Sequence, residues 1–218
     1  MSNTEYPIIN SASGGVGGIV DLKMMPNGGE GIPPHFMGYI SVNDVDATCG
    51  LVKENGGKIL MGPENIPHVG RFAVIEDPQG RQVTAFRSAE PDRAEVERPM
   101  VGAFCWDQLN TNDLAGSIAF YTAAFGYGTE SFGTDDTITT LTSGGKQRGS
   151  IMAAPQGVPT HWFTYIVMPT SVPESRDRAM RLGSTIHLEE VVVPNVGRFA
   201  AIADPTGAVA GIFEPASR

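Results

Sequence analysis

Positive charge is scarce in this chain: 15 Lys and Arg stand against 24 Asp and Glu in 218 residues, a formal net charge of -9. A nucleic-acid backbone or an anionic membrane surface calls for a basic footprint, so neither is expected as a partner. Long apolar runs are missing as well. None approaches the ~20 residues of a membrane span, and no basic start leads into an apolar signal-like segment, so the expected compartment is the cytoplasm. Cysteine is limited to Cys49, on an expected helix, and Cys105, on an expected strand. Without Cys-x-x-Cys spacing, a disulfide framework or a zinc finger is not expected.

What is present is a repeat. Val69-Gly70-Arg71-Phe72-Ala73-Val74-Ile75-Glu76-Asp77-Pro78-Gln79-Gly80 returns as Val196-Gly197-Arg198-Phe199-Ala200-Ala201-Ile202-Ala203-Asp204-Pro205-Thr206-Gly207, with nine of twelve positions identical. Asp, Pro and Gly at the first, second and fourth turn positions suit a type I turn, because Pro presets φ and the Asp side chain can bond forward to the backbone. Each copy therefore predicts a hairpin whose flanks pair, with Phe72 and Val74 before the first turn, Val83 and Ala85 after it, and Phe199 and Ile212 around the second. A chain of this length could be one domain or two, and the doubling favours two.

Read in order, Tyr6 to Asn10 and Ile19 to Met25 are strand-like, and the Gly-rich stretch 13–18 is expected to connect them as a hairpin. It lacks the Gly-Lys-Ser/Thr of a phosphate loop. Pro26 to Pro34 forms a breaker-rich linker. A strand is expected over His35 to Val42, then a cap at Asn43-Asp44 and a helix with Val45, Thr48, Cys49 and Val52 on one face. A strand near Lys58 to Met61 and the first hairpin complete a strand-helix-three-strand unit. The charged, proline-bracketed stretch 89–100 predicts a linker between domains 1–88 and 101–218.

The second unit follows. It has a strand over Gly102 to Leu109, a cap at Asn112 or Asp113, a helix with Leu114, Ser117, Ile118 and Tyr121 on one face, and strands near 128–132, 137–142 and 149–153. A third opens at His161, with a helix started by Ser171 and Pro173, a strand near 185–193 and the second hairpin. Residues 6–27 match only the end of such a unit, so the first of four modules is truncated. The fold class is α+β, built from tandem βαβββ modules.

Leu114 to Tyr121 with Phe125-Gly126, and the turns Asp77-Pro78-Gln79-Gly80 and Asp204-Pro205-Thr206-Gly207, resemble the "FY…LFG" helix end and "DPdG" turn of the vicinal oxygen chelate superfamily. That superfamily contains glyoxalase I, bleomycin-resistance proteins and extradiol dioxygenases. Phe104-Cys105-Trp106-Asp107-Gln108-Leu109 and Val69-Gly70-Arg71-Phe72 look like its two-domain, glyoxalase-like "hydroxylase" proteins of actinobacteria. The resemblance implies curved, barrel-like mixed sheets around a cavity, with metal ligands on the first and last strands of modules in the metalloenzymes. In that register the first-strand positions are Trp106, Met37 and Phe163, and the last-strand positions are Thr84 and Ala210. None suits a hard or borderline cation, which takes carboxylate or imidazole, so no cofactor and no metal is expected.

Side chains of other types could carry chemistry. His35 and His161 occupy matching strand starts, two residues before first-strand positions, and so share the cavity face. Each is read either as a proton carrier or relocated ligand, or as a residue bonding a backbone carbonyl. Asp107 meets His161 if the register slips by one residue, making a base and its orienter. Otherwise it faces solvent. His187 with Glu189 and Glu190 imitates a metal cluster but also fits a polar outer face, and His68, whose counterpart is Asn195, points to a loop role. Arg71 and Arg198 either bind a substrate anion or pair with carboxylates such as Glu64 and Glu190. Trp106, Phe163, Tyr165, Met37 and Tyr39 either line an apolar pocket or fill the core.

These readings give His161, Asp107 and His35 as catalytic candidates and Trp106, Phe163, Tyr165, Met37, Tyr39 and Arg198 as substrate-binding candidates. The leading expectation is a metal-independent protein that binds, and slowly transforms if it is an enzyme at all, a small aromatic or oxygenated molecule. One alternative is a lyase or dioxygenase using Ni, Zn, Mn or Fe held by His35, His161, Asp107 or Glu189. A second alternative is a degenerate module kept for assembly, with a homodimer partner or the N-terminal hairpin covering the incomplete first domain.

Overall fold

A computed structural model describes residues 6–12, 14–91, 98–133 and 135–216. Three times the chain builds the same module. In the first, β3 (Tyr39–Ser41) leads into α1 (Val45–Glu54), β4 (Lys58–Ile66), β5 (Gly70–Glu76) and β6 (Gln82–Ser88), with strand order β3-β6-β5-β4. In the second, β7 (Phe104–Thr111), α2 (Leu114–Phe125), β8 (Gly128–Phe132), β9 (Asp135–Ser143) and β10 (Lys146–Ala153) follow the order β7-β10-β9-β8. The third consists of β11 (His161–Val167), α3 (Val172–Arg181), β12 (Thr185–Val193), β13 (Gly197–Ala203) and β14 (Val209–Pro215), ordered β11-β14-β13-β12. Each first strand lies parallel to its module's last strand, while the other pairs are antiparallel. The sheets are mixed and open, and the α+β class expected from the sequence holds.

Local chemistry explains the helix starts. Asp44 accepts from the Ala47 amide at 3.0 Å, Asp113 from Gly116 at 2.9 Å and Ser171 from Glu174 at 3.4 Å. Each cap satisfies an amide that the first helical turn leaves without a partner. α1 buries the expected face, Val45, Thr48, Cys49 and Val52. α2 buries a wider face than expected: Ser117 and Tyr121 are buried and Leu114 and Ile118 pack half-buried against the same core, and Phe120 and Ala124 are buried as well. That helix is apolar nearly all round, so periodicity does not fix its face. The aromatic residues do, because Tyr121 stacks on Phe125 at 5.7 Å and meets Trp162 edge-on at 5.3 Å.

The N-terminal hairpin also departs from expectation. β1 (Ile8–Ser11) pairs with β2 (Gly14–Gly18), so the glycines form the second strand, while Ile19 to Met25 holds a short 3-10 turn at Leu22–Met24. The turn is capped by Asp21, which accepts from the Lys23 amide at 3.0 Å. Glycine suits β2 because a Cβ at Gly18 would run into the Tyr6 ring. The strand expected over His35 to Val42 shortens to β3, after Pro33 and Pro34, which carry no N–H for a ladder. Residues 92–97, half of the expected charged linker, lie outside the described residues.

Two compact units emerge, one of Met1–Phe36, Val96–Trp106 and Thr164–Arg218, the other of Met37–Glu95 and Asp107–Phe163. The second has the larger core, in which Val45, Ile75, Leu109, Phe120, Tyr121 and Ile151 pack together. Each such large side chain contributes roughly 1.5–3 kcal/mol on burial. The first unit holds a smaller cluster of Val172, Ala200 and Ile212, with Met168 and Ile202 against it. No helix among the described residues is long and apolar enough to cross a membrane.

Candidate functional site

The repeated turns form as their residues dictate. The Gly80 amide donates to the Asp77 carbonyl at 2.9 Å, and Asp77 Oδ1 accepts from the amides of Gln79 at 2.9 Å and Arg81 at 2.8 Å. In the second copy Gly207 donates to the Asp204 carbonyl at 2.9 Å, and Asp204 Oδ1 accepts from Thr206 N at 2.8 Å and Ala208 N at 3.0 Å. His68 and Asn195, matching positions just before the repeat glycines, both adopt φ 64°. Both are exposed loop residues, which accounts for the exchange of one for the other.

The first-strand and last-strand positions registered from the sequence carry no metal-binding chemistry. Thr84, fully buried in β6, donates its hydroxyl to Met37 Sδ at 3.1 Å, so the two positions of that module meet each other. Phe163 and Ala210 are buried and Trp106 is half-buried. A thioether, a hydroxyl, a methyl and two aromatic rings do not fit a hard or borderline divalent cation. The relocated candidates are engaged elsewhere. His35 is exposed, with Nδ1 2.9 Å from the Pro33 carbonyl, and Glu189 accepts from Arg176 Nη1 at 2.6 Å. Among the described residues no group of three or more His, Cys, Asp and Glu side chains could hold a metal ion.

His161 stands at the end of a polar chain. Ser150 Oγ donates to Gln108 Oε1 at 3.4 Å, Gln108 Nε2 to Asn110 Oδ1 at 2.9 Å, and Asn110 Nδ2 reaches His161 Nε2 at 3.2 Å. An amide nitrogen can only donate, so Nε2 accepts and Nδ1 carries the proton, which it gives to the Pro159 carbonyl at 2.8 Å. Every bond runs in the same direction, an arrangement in which each polarises the next. The strand registers Ser150↔Gln108 and Met152↔Asn110 put these side chains on one face, opposite to the core residues Leu109 and Ile151. Gln108 spends its second N–H on Met152 Sδ at 2.9 Å. The hydrogen-bond partners of the His161 ring are thus Asn110 and Pro159, with Asp107 three residues earlier on β7 and half-buried. Burial, and then the Asp107 charge, push the Tyr127 phenol up.

The remaining candidates fall out by exposure. Phe163 is buried and meets the His161 ring edge-on at 6.2 Å. Tyr165 is buried against Phe199 at 5.1 Å, and its phenol is pushed far up, chiefly by burial. Tyr39 is exposed beside Phe86, and Met37 is half-buried. Arg198 is exposed and lies 3.5 Å from Glu190 and 3.8 Å from Glu214. Arg71 takes a different partner from the expected Glu64, reaching both oxygens of Asp46 at 2.6 and 2.8 Å. His187 is exposed on β12.

Sequence reasoning passed over Gln108, Asn110, Ser150 and Thr140, and the burial of Asp77. Alternation along Gln108 and Asn110 was the available signal. Asp77 is 2% exposed and accepts from the Tyr121 hydroxyl at 2.9 Å, which in turn accepts from Trp162 Nε1 at 3.3 Å. Burial raises the Asp77 carboxyl above its ordinary value against the pull of these hydrogen bonds, and burial together with Asp77 raises Tyr121 strongly.

The family model for the glyoxalase/bleomycin resistance protein/dioxygenase superfamily matches residues 12–84. The Mycobacterium bovis protein named "Putative glyoxylase CFP32" is 31% identical over 196 residues, covering 88% of this chain and 74% of that protein. The chain belongs to this superfamily. Another relative, "Anthracycline biosynthesis protein DauV" of Streptomyces sp. strain C5, is 30% identical over 86% of this chain and 68% of its own. Among solved structures, the 2,2',3-trihydroxybiphenyl 1,2-dioxygenase of Sphingomonas wittichii RW1 superposes with TM-score 0.56 at 14% identity, over 84% of this chain and 71% of that one. The Mn(II)-bound glyoxalase of Novosphingobium aromaticivorans gives 0.55 at 18% identity, over 80% of this chain and 61% of that one. These two likenesses are of fold.

Proposed function

We propose that the protein binds a small aromatic or oxygenated molecule without a metal ion, and that any turnover it performs is slow. The observation that carries this reading is the hydrogen-bonded chain from Ser150 to His161 on one sheet face. It offers polar recognition, and both ring nitrogens of His161 are engaged within the protein, Nε2 by Asn110 and Nδ1 by the Pro159 carbonyl. Support also comes from the side chains at the family's metal positions, and from a relative named for anthracycline biosynthesis, since anthracyclines are oxygenated aromatic compounds. Fold alone would not carry it, because this architecture hosts many reactions.

The test is metal content by plasma mass spectrometry on protein purified without chelator or histidine tag, repeated after incubation with nickel, zinc, manganese and iron(II). No stoichiometric metal is expected after dialysis. A retained equivalent of any of the four would overturn the reading and direct mutagenesis to His35, His161, Asp107 and Glu189.

A further inference from the structure

The unit of Met1–Phe36, Val96–Trp106 and Thr164–Arg218 holds a recess of about 500 Å³, within the ~300–1,000 Å³ range of small-molecule sites. Two tight turns and two strand ends build it. Met100 to Ala103 turn back before β7, with the Ala103 amide on the Met100 carbonyl at 3.0 Å and Gly102 at φ 79°, a left-handed conformation that glycine takes without steric cost. Val193 to Val196 turn between β12 and β13, closed at 3.1 Å from the Val196 amide to the Val193 carbonyl, with Asn195 as the left-handed residue. Both turns are tied to strand ends. The Gly102 amide donates to the Val167 carbonyl at the end of β11 at 2.8 Å, and the Ala216 amide, just past β14, donates to the Val196 carbonyl at 2.9 Å. Walls pinned in this way hold their shape without a ligand, which lowers the cost of binding one.

The walls are apolar, formed by Val101, Val167, Met168, Val196 and Pro215. Val101 and Val196 stay 51% and 44% exposed, so apolar surface meets water there, as it does at binding sites. Arg98 and Asn195 also bound the recess, and neither side chain has a hydrogen-bond or ion-pair partner among the described residues. Elsewhere in this unit Arg176 and Arg198 lie against Glu189 and Glu190. No carboxylate bounds the recess among the described residues, and the exposed Arg98 guanidinium, which does not lose its proton, is the charge that lines it.

We infer that this recess binds a small organic carboxylate with an apolar body, the body against Val101, Val167 and Val196 and the carboxylate on Arg98, with the Asn195 amide as a further donor. A planar guanidinium meets a carboxylate through two parallel N–H bonds, whereas a neutral ligand leaves it unpaired and a cation is repelled. The chain's net charge of -9 works against anions in general, so the preference has to come from this local pairing. The inference goes beyond the metal-free reading above and shares no residue with the chain from Ser150 to His161 that carries it.

Naphthylacetate, naphthylacetamide and naphthylmethylammonium share an aromatic body and differ in charge, and titrating each into the isotope-labelled protein, with amide shifts as the readout, tests the inference. The acid is expected to bind at least about tenfold more tightly than the amide, with the ammonium weakest, and to shift the amides of Val101, Val167, Val196 and Ala216. Arg98→Gln, at an exposed position, should weaken the acid about tenfold and leave the amide unchanged, and Arg98→Lys should recover part of the loss. Equal affinity for acid and amide, an unchanged acid affinity in Arg98→Gln, or shifts confined to Asn110 and His161 would overturn the inference, as would failure of all three compounds to bind. None of these outcomes decides the metal-free reading, which stands or falls on metal content. A retained metal ion would overturn that reading and leave this recess as it is.

Discussion

The two Asp-Pro-x-Gly turns have nearly the same sequence and nearly the same backbone hydrogen bonds, yet their aspartates live in different media. Asp77 is buried, with one carboxylate oxygen on the turn amides and the other on the Tyr121 hydroxyl. Asp204 is partly exposed, and its Oδ1 takes the two turn amides and the Thr206 hydroxyl, the last at 2.6 Å. Burial raises Asp77 in spite of its hydrogen bonds. At Asp204 burial pulls the same way, but the hydrogen bonds from Thr206 and Ala208 outweigh it and hold the carboxyl below its ordinary value. A turn motif thus specifies its own geometry and leaves its electrostatics to whatever packs over it. Here the first copy is covered by the aromatic face of α2.

The largest test of that contrast is truncation. Asp77→Ala removes the acceptor of two amides and a buried phenol, and should cost about 3 kcal/mol, whereas Asp204→Ala should cost about 1 kcal/mol, read from urea unfolding midpoints. Equal losses would mean that the turn alone sets the value of its aspartate. Where the copies have identical surroundings, they should respond identically. A Cβ at Gly70 would run into the Arg87 carbonyl and the Phe86 ring, and one at Gly197 into the Glu214 carbonyl and the Phe213 ring. Gly70→Ala and Gly197→Ala should each lose about 2 kcal/mol. A gap of several-fold between the two would break the symmetry of the repeat. Tyr121→Phe then isolates the contact unique to the first copy. It should lose about 1 kcal/mol by withdrawing the hydroxyl between Asp77 and Trp162, and combining it with Asp77→Ala should cost less than the sum of the two.

Much of this architecture was legible because it is locally encoded. The caps Asp44, Asp113 and Ser171 announce helices, the spacing of Val45, Thr48, Cys49 and Val52 announces a face, and the doubled turn announces hairpins. What escaped depends on residues distant in sequence. Nothing near Asp77 shows that Tyr121, 44 residues on, will cover it. Gln108, Asn110, Ser150 and Thr140 look like ordinary outward-facing polar residues of strands until the pairing of β7, β10 and β9 sets them on one face. The glycines of β2 misled for the opposite reason: glycine is a turn signal in a sequence, and here it serves close approach by the Tyr6 ring. In α2 an almost uniformly apolar sequence left the choice of face to aromatic packing.

The smallest expected effect is also the one that separates the two turns by sign. A carboxyl raised in the native state binds its proton more tightly there than in the unfolded chain. Asp77 therefore contributes stability below its ordinary value of 3.8, and that contribution is lost as pH rises through its native value. Asp204, lowered in the native state, contributes stability above the same ordinary value and loses it as pH falls through its own lower native value. Urea midpoints of the wild type, Asp77→Asn and Asp204→Asn across pH 3 to 7 expose both. The wild type's advantage over Asp77→Asn should narrow as pH rises, and its advantage over Asp204→Asn should widen over the acid end of the range. Parallel curves for the two variants would show that the cover supplied by Tyr121 leaves the first aspartate in the same electrostatic setting as the second, and would undo the contrast between the turns.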